Sequence, residues 1–246
     1  MRQRTKPLIA FGLASVLLLL SLSHSSGERE VRRFPEVLLE ARSAYVYDLR
    51  AGAALFAKNE NVALALASLT KLISALVAVE QAPGLKGDLG QTLLTSSNQG
   101  IRQAVLAVAP AEDFVRMMNR KVKILNLKSM RFSNETGLDI DEREAGGYGS
   151  AADINNLFVY MLKNYPDLLK DTAEASERNT NLVASEIPGL LGSKTGLTDL
   201  AGGNLVFAFD PELGRPIVIT ILGSTEEGRF QDVRKLISAT LEYINQ

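Results

Sequence analysis

The sequence has no cysteine and no tryptophan, and its one histidine, His24, lies in an N-terminal stretch beside an apolar run. Without thiols there is no cysteine nucleophile, disulfide, iron–sulfur cluster or cysteine-bound zinc. With no imidazole in the folded body, a Ser-His-Asp triad and a histidine metal site are excluded as well. A hydrolase built from this inventory must activate its nucleophile by another base. An excess of charge is also missing: 27 Lys and Arg face 28 Asp and Glu. No basic stripe is available to meet a phosphate backbone, so nucleic acid is not an expected partner. The chemistry that remains calls for no metal and no cofactor.

Residues 1–26 read as a targeting segment. Arg2, Arg4 and Lys6 precede a run of apolar, Gly and Ser residues from Leu8 to Leu22, and the stretch from Ser21 to Ser26 offers small residues for cleavage. The expectation is export, to the periplasm or the outer face of the cytoplasmic membrane. Retention of the run as a single N-terminal anchor is the alternative, and membrane contact is expected only through this segment. Removing it takes away three positive charges and leaves 24 basic and 28 acidic side chains. The remainder, read as one domain over 35–246, has no Pro-rich or Gly/Ser linker and no internal repeat.

Two strand pairs bracket a helical middle. Ala44–Asp48 and Ala53–Ala57 flank a turn ending at Gly52, and Asn204–Phe209 and Pro216–Leu222 flank Asp210–Arg215. Between them, Ser68 to about Glu80 is apolar around nearly its whole circumference, which marks a buried helix. Phe114–Leu125 and Ala152–Tyr165 follow helical spacing, and a closing helix carries Phe230, Val233, Ile237, Leu241 and Ile244 on one face. Strands from both chain ends around a helical middle predict an α+β fold with an antiparallel sheet assembled from the two ends.

Since imidazole and thiol are absent, the informative search is for a serine within reach of a lysine. Ser68-Leu69-Thr70-Lys71 meets it, because residues three apart on a helix share a face. Burial in this apolar helix would disfavour the ammonium form of Lys71 and provide a neutral amine as base. The same tetrapeptide also suits an N-cap serine followed by a surface lysine whose stem lies along the protein.

Ser96-Ser97-Asn98 and Lys194-Thr195-Gly196 follow in chain order. This ordered set of Ser-x-x-Lys, Ser-x-Asn and Lys-Thr-Gly resembles that of penicillin-binding proteins and serine β-lactamases. The segments 44–58, 67–72, 114–119, 132–139 and 179–182, with 192–202 around the third motif, make the chain similar to the D-alanyl-D-alanine carboxypeptidase family of low-molecular-mass penicillin-binding serine peptidases. That likeness covers residues 37–245 and implies a β-lactamase/transpeptidase-like fold with a reduced helical lobe. It implies a peptidase trimming peptidoglycan stem peptides, with β-lactam antibiotics as covalent inhibitors. Ser68 is then the nucleophile, Lys71 its general base, and Ser96 the relay to the leaving amine. Asn98 binds the substrate amide, the backbone N–H groups of Ser68 and Leu197 form the oxyanion hole, and Lys194 and Thr195 hold the terminal carboxylate. Gly196 lets the substrate backbone lie against its strand. Arg229 matches a carboxylate-binding arginine, with a solvated residue at the start of the last helix as the alternative.

Several positions depart from the family pattern. Ser68 and Ser96 are only 28 residues apart, Gln99 stands where an acidic residue is common, and Ser193 where an apolar one is. A helix from Ser68 to Gln81 is about 20 Å long, and the following links to Ser96 span roughly 50 Å if extended, so Ser96 can return to Ser68. The shortened segment predicts a more open cleft and a less well buried Lys71. A serine β-lactamase, with Glu177 in a superficially similar Glu-x-x-x-Asn, and a non-catalytic wall-binding protein of the same fold are the competing readings.

Overall fold

The computed structural model describes residues 32–246, so the segment read as an export signal or anchor lies outside the described residues. The first hairpin consists of β1 (Ser43–Asp48) and β2 (Ala53–Lys58). Its turn is folded by Asp48, whose Oδ1 accepts from the N–H groups of Arg50 and Ala51, and by Gly52 at φ +65°. β3 (Leu64–Ala65) leads into α1 (Thr70–Gln81), followed by α2 (Lys86–Leu94), α3 (Asn98–Leu106) and α4 (Ala111–Ile124). Then come β4 (Arg131–Phe132), β5 (Gly147–Gly149), α5 (Ala151–Asn164) and α6 (Pro166–Lys170). The chain closes with β6 (Leu190–Thr198), β7 (Gly202–Phe209), β8 (Ile217–Ser224) and α7 (Gly228–Ile244).

Five strands form one antiparallel sheet in the order β2-β1-β8-β7-β6. β1 pairs with β8 over Ser43↔Leu222 to Asp48↔Ile217, joining the two chain ends as the sequence predicts. The alternation of side chains explains why β7 and β8 read as continuous apolar runs, since both faces are covered. Leu205, Phe207, Phe209, Ile217, Ile219 and Ile221 pack with Phe230, Val233 and Leu236 of α7. Val206, Ala208, Val218 and Leu222 point the other way, into a core shared with α1, α4 and α5. β3, β5 and β4 form a second, small antiparallel sheet, and the β4–β5 connection runs from 133 to 146.

α1 is buried from Thr70 to Val79, as its all-round apolar pattern requires. It starts two residues later than the sequence suggests, because Ala67–Leu69 form a 3-10 turn entered through Ala67 at φ +49°. α2 and α3 were not apparent from periodicity. Gly87 and Gly90 weaken the helical signal of α2, and Gly90 is required by packing: a Cβ there would lie 2.6 Å from Asp171 Oδ2. The return from α1 to Ser96 is therefore a compact helical turn against the 171–173 segment, not an extended link.

Asp232 ties α7 to the sheet. Wholly buried, its carboxylate accepts from Glu40 N at 3.0 Å, Ala41 N at 2.8 Å and Ser224 Oγ at 3.0 Å. Asp232→Ala leaves those donors unsatisfied and is expected to lower unfolding stability by about 3 kcal/mol, measured by urea denaturation.

Candidate active site

The 3-10 turn sets the place of Ser68, the expected nucleophile. The turn leads straight into α1, where residues three apart share a face, and Ser68 Oγ lies 2.7 Å from Lys71 Nζ. Lys71 also donates to the carbonyl oxygen of Thr136 at 2.8 Å. Ser68 makes no N-cap bond and stays partly accessible, whereas Lys71 is completely buried. This overturns both the surface-lysine alternative and the expectation that a shortened lobe leaves Lys71 wetter. The cover comes from the β4–β5 loop, which the spacing between the first two motifs does not reveal. Burial brings the Lys71 amine down from 10.5 to about 7, opposed by the carboxylate of Glu135 and reinforced by Arg102.

The second and third motifs meet across from it. Lys194, on β6, donates to Ser96 Oγ at 2.7 Å and to its neighbour's carbonyl, Thr195 O, at 2.8 Å. Lys194 is 1% exposed; burial, with Lys71 and Arg229 nearby, holds its amine well below the ordinary lysine range. The two serine–lysine pairs thus belong to one electrostatic cluster. Ser96 itself is held at φ +54°, an uncommon conformation for a residue with a Cβ. Ser97 follows as the N-cap of α3, its Oγ accepting from Gly100 N at 3.0 Å. Asn98 opens that helix, and its Oδ1 is buried without a partner among the described residues. Gln99 is exposed.

β6 is an edge strand, and packing within the protein also requires its Gly196. A Cβ at this position would come 2.8 Å from Leu66 O, 3.2 Å from Ala67 Cβ and 3.3 Å from Ser68 N. The glycine therefore lets the nucleophile turn dock on β6, bringing the Ser68 N–H beside the peptide that carries the Leu197 N–H. The Leu197 side chain is exposed. Arg229 is 6% exposed, which removes the solvated alternative; its Nη1 donates to Gly196 O at 2.8 Å and its guanidinium lies 4.6 Å from the Phe230 ring centre. In this structure it braces the β6 backbone. Ser193 is buried because its polar groups are satisfied by the 171–173 turn: Thr172 Oγ1 accepts from its N–H, and its Oγ donates to Thr172 O.

Two contributors escaped the sequence reading. Thr180 Oγ1 accepts from Thr195 Oγ1 at 2.6 Å, and Thr136 acts through its main chain, which no side-chain pattern reports. Glu177 is exposed and lines a surface pocket with Asn179, Leu182 and Ser185, a pocket that takes in neither serine–lysine pair. A larger apolar cleft of about 620 Å³, lined by Leu162, Pro166, Leu190 and Leu191, likewise contains none of these groups. No cluster of three or more His, Asp or Glu suited to a metal occurs among the described residues.

Comparison with known proteins agrees with this geometry. The family model described as D-alanyl-D-alanine carboxypeptidase matches residues 88–225. The chain is 27% identical to the D-alanyl-D-alanine carboxypeptidase DacF of Bacillus subtilis, an alignment covering 94% of this chain and 70% of that one. It is 28% identical to DacA of Escherichia coli K12, over 85% of this chain but only 55% of the relative's length. Among solved structures, penicillin-binding protein D2 from Listeria monocytogenes in its cefotaxime-bound form superposes with a TM-score of 0.75 at 25% identity, covering 83% of this chain and 98% of that one. With a matching family model over more than half its length and the same fold as a penicillin-binding protein, the chain belongs to the D-alanyl-D-alanine carboxypeptidase family of serine peptidases.

Proposed function

We propose that the protein is a serine D-Ala-D-Ala carboxypeptidase that trims peptidoglycan stem peptides through an acyl-enzyme on Ser68. The observation that carries this is a nucleophile 2.7 Å from a wholly buried amine. One N–H of the neutral amine bonds Thr136 O, which leaves the nitrogen lone pair free to take the Ser68 proton. Ser68 Oγ then bonds to the carbonyl carbon of the penultimate D-alanine, and the N–H groups of Ser68 and Leu197 receive the developing oxyanion. The C–N bond breaks as the leaving amine gains a proton through Ser96, and D-alanine departs. Water, deprotonated by the same base, cleaves the ester and restores Ser68.

Substrate binding follows from the opposite wall. The unpartnered Oδ1 of Asn98 suits a substrate amide N–H. Lys194 and Thr195 suit the terminal carboxylate, because an incoming anion offsets the burial that disfavours the Lys194 ammonium. Arg229 adds positive charge behind Gly196. The N-terminal basic and apolar segment, 1–26, would export or anchor this domain, 35–246, at the outer face of the cytoplasmic membrane. No helix among the described residues is long and apolar enough to cross a membrane.

Fluorescent penicillin is expected to label the full chain stably. Ser68→Ala abolishes the label and D-alanine release from a pentapeptide, while Lys71→Ala slows acylation by about 10²–10⁴-fold. Absence of label from the unaltered protein would favour a non-catalytic wall-binding role, and rapid hydrolytic loss of label a β-lactamase. Because the active form of Lys71 is the neutral one, acylation should rise with pH through a midpoint near about 7, read from labelling rates across the pH range.

A further inference from the structure

The β4–β5 loop makes contact with the elements of all three motifs, although it contains none of them. At the first motif, Thr136 O accepts from Lys71 Nζ, and Glu135 O accepts from Ser74 Oγ of α1 at 2.7 Å. Gly137, at φ +79°, lies so close to the nucleophile turn that a Cβ would come 1.9 Å from Ala67 O and 2.6 Å from Thr70 Oγ1. Toward the second motif, the Glu135 carboxylate meets Arg102 Nε of α3 at 3.4 Å. Toward the third, Asp139 Oδ1 accepts from Thr198 Oγ1 at 3.0 Å and Oδ2 from Leu200 N at 3.2 Å, where β6 ends.

The loop keeps its shape through one side chain. Asn134 Oδ1 accepts from Thr136 N at 3.1 Å, Thr136 Oγ1 at 3.2 Å and Gly137 N at 2.7 Å, while its Nδ2 donates to Leu138 O at 2.8 Å. These bonds turn the Thr136 carbonyl toward Lys71. A Cβ on Gly146 would lie 2.3 Å from Asn134 Nδ2 and from Leu138 O, so the returning chain closes directly over the same network.

We infer that Asn134 and Asp139 are positioning residues for acyl transfer, Asn134 holding the Thr136 carbonyl on Lys71 and Asp139 holding the end of β6 that follows the oxyanion donor Leu197. This rests on the carboxypeptidase reading of the site. The two ends of the loop act on different parts of the reaction. Asn134 governs how dry and how directed the base is; Asp139 governs where the strand presents its N–H. The charged groups around Lys71 are Glu135 from the loop, Arg102 from α3 and Lys194 from β6, and substituting Asn134 or Asp139 removes none of these three.

The test follows pre-steady-state acylation of the full chain by a fluorescent penicillin, from weakly acidic to weakly basic pH, with end-point labelling to count folded sites. Asn134→Ala lets water reach Lys71, so the midpoint of the pH profile rises by about one unit and the rate at neutral pH falls about tenfold. Asp139→Asn keeps the midpoint and slows the acylation step about three- to tenfold, with the affinity of the preceding complex unchanged. A loss of folded protein alone lowers the end point and leaves the midpoint where it was. An unmoved midpoint in Asn134→Ala, or an unchanged acylation rate in Asp139→Asn, overturns the inference, and the second variant decides it if the first does not fold. Failure of the unaltered protein to label at all would instead overturn the carboxypeptidase reading.

Discussion

The site depends on keeping one lysine amine out of water. An amine of ordinary basicity is almost fully protonated at neutral pH and has no lone pair to offer an alcohol. Lys71 is different because α1 is buried from Thr70 to Val79, and because a loop distant in sequence lies against the amine. Other features of the cleft extend from that point. The tight turn before α1 sets the hydroxyl over the amine, and Gly196 lets that turn rest on the edge of the sheet. A second buried lysine, Lys194, stands close enough that a Lys71 ammonium disfavours its own charged form. The cluster is thus poised to receive negative charge.

The scaffold supports this arrangement through a few buried polar links between segments far apart in sequence. Asp48 closes the first hairpin and accepts from Arg215 of the second at 3.0 Å, so the two turns at one end of the sheet are joined. At the other end, Asn204 donates to Ala65 O and accepts from Gly223 N, connecting β7 and β8 to the strand that precedes the nucleophile. Such groups are costly to bury unpaired and specific once paired. Those of Asn204 fix β7 and β8 against β3, and β7 in turn pairs with β6, the strand that carries Lys194 and Gly196.

Much of this was legible in the residues. The hairpins at 44–57 and 204–222 declared themselves through alternating or β-branched runs with turn residues between them, and the absence of imidazole and thiol directed attention to Ser68 and Lys71. The long helices followed from apolar spacing. What escaped was of two kinds. α2 carries glycines chosen for close packing, so local propensity argues against the helix that tertiary contact imposes. The cover over Lys71 is a main-chain carbonyl and an asparagine-built loop, and no spacing between the motifs records it. Counting residues between Ser68 and Ser96 therefore pointed to a wetter base, when the protection comes from residues 134–138.

The pairing of β1 with β8 has a consequence for how the protein is made. The second strand in the sheet, β1, cannot find its inner neighbour until residues 217–224 have been made. Contacts so remote along the chain are slow to form, so the pairing at the centre of the sheet is a late event in folding.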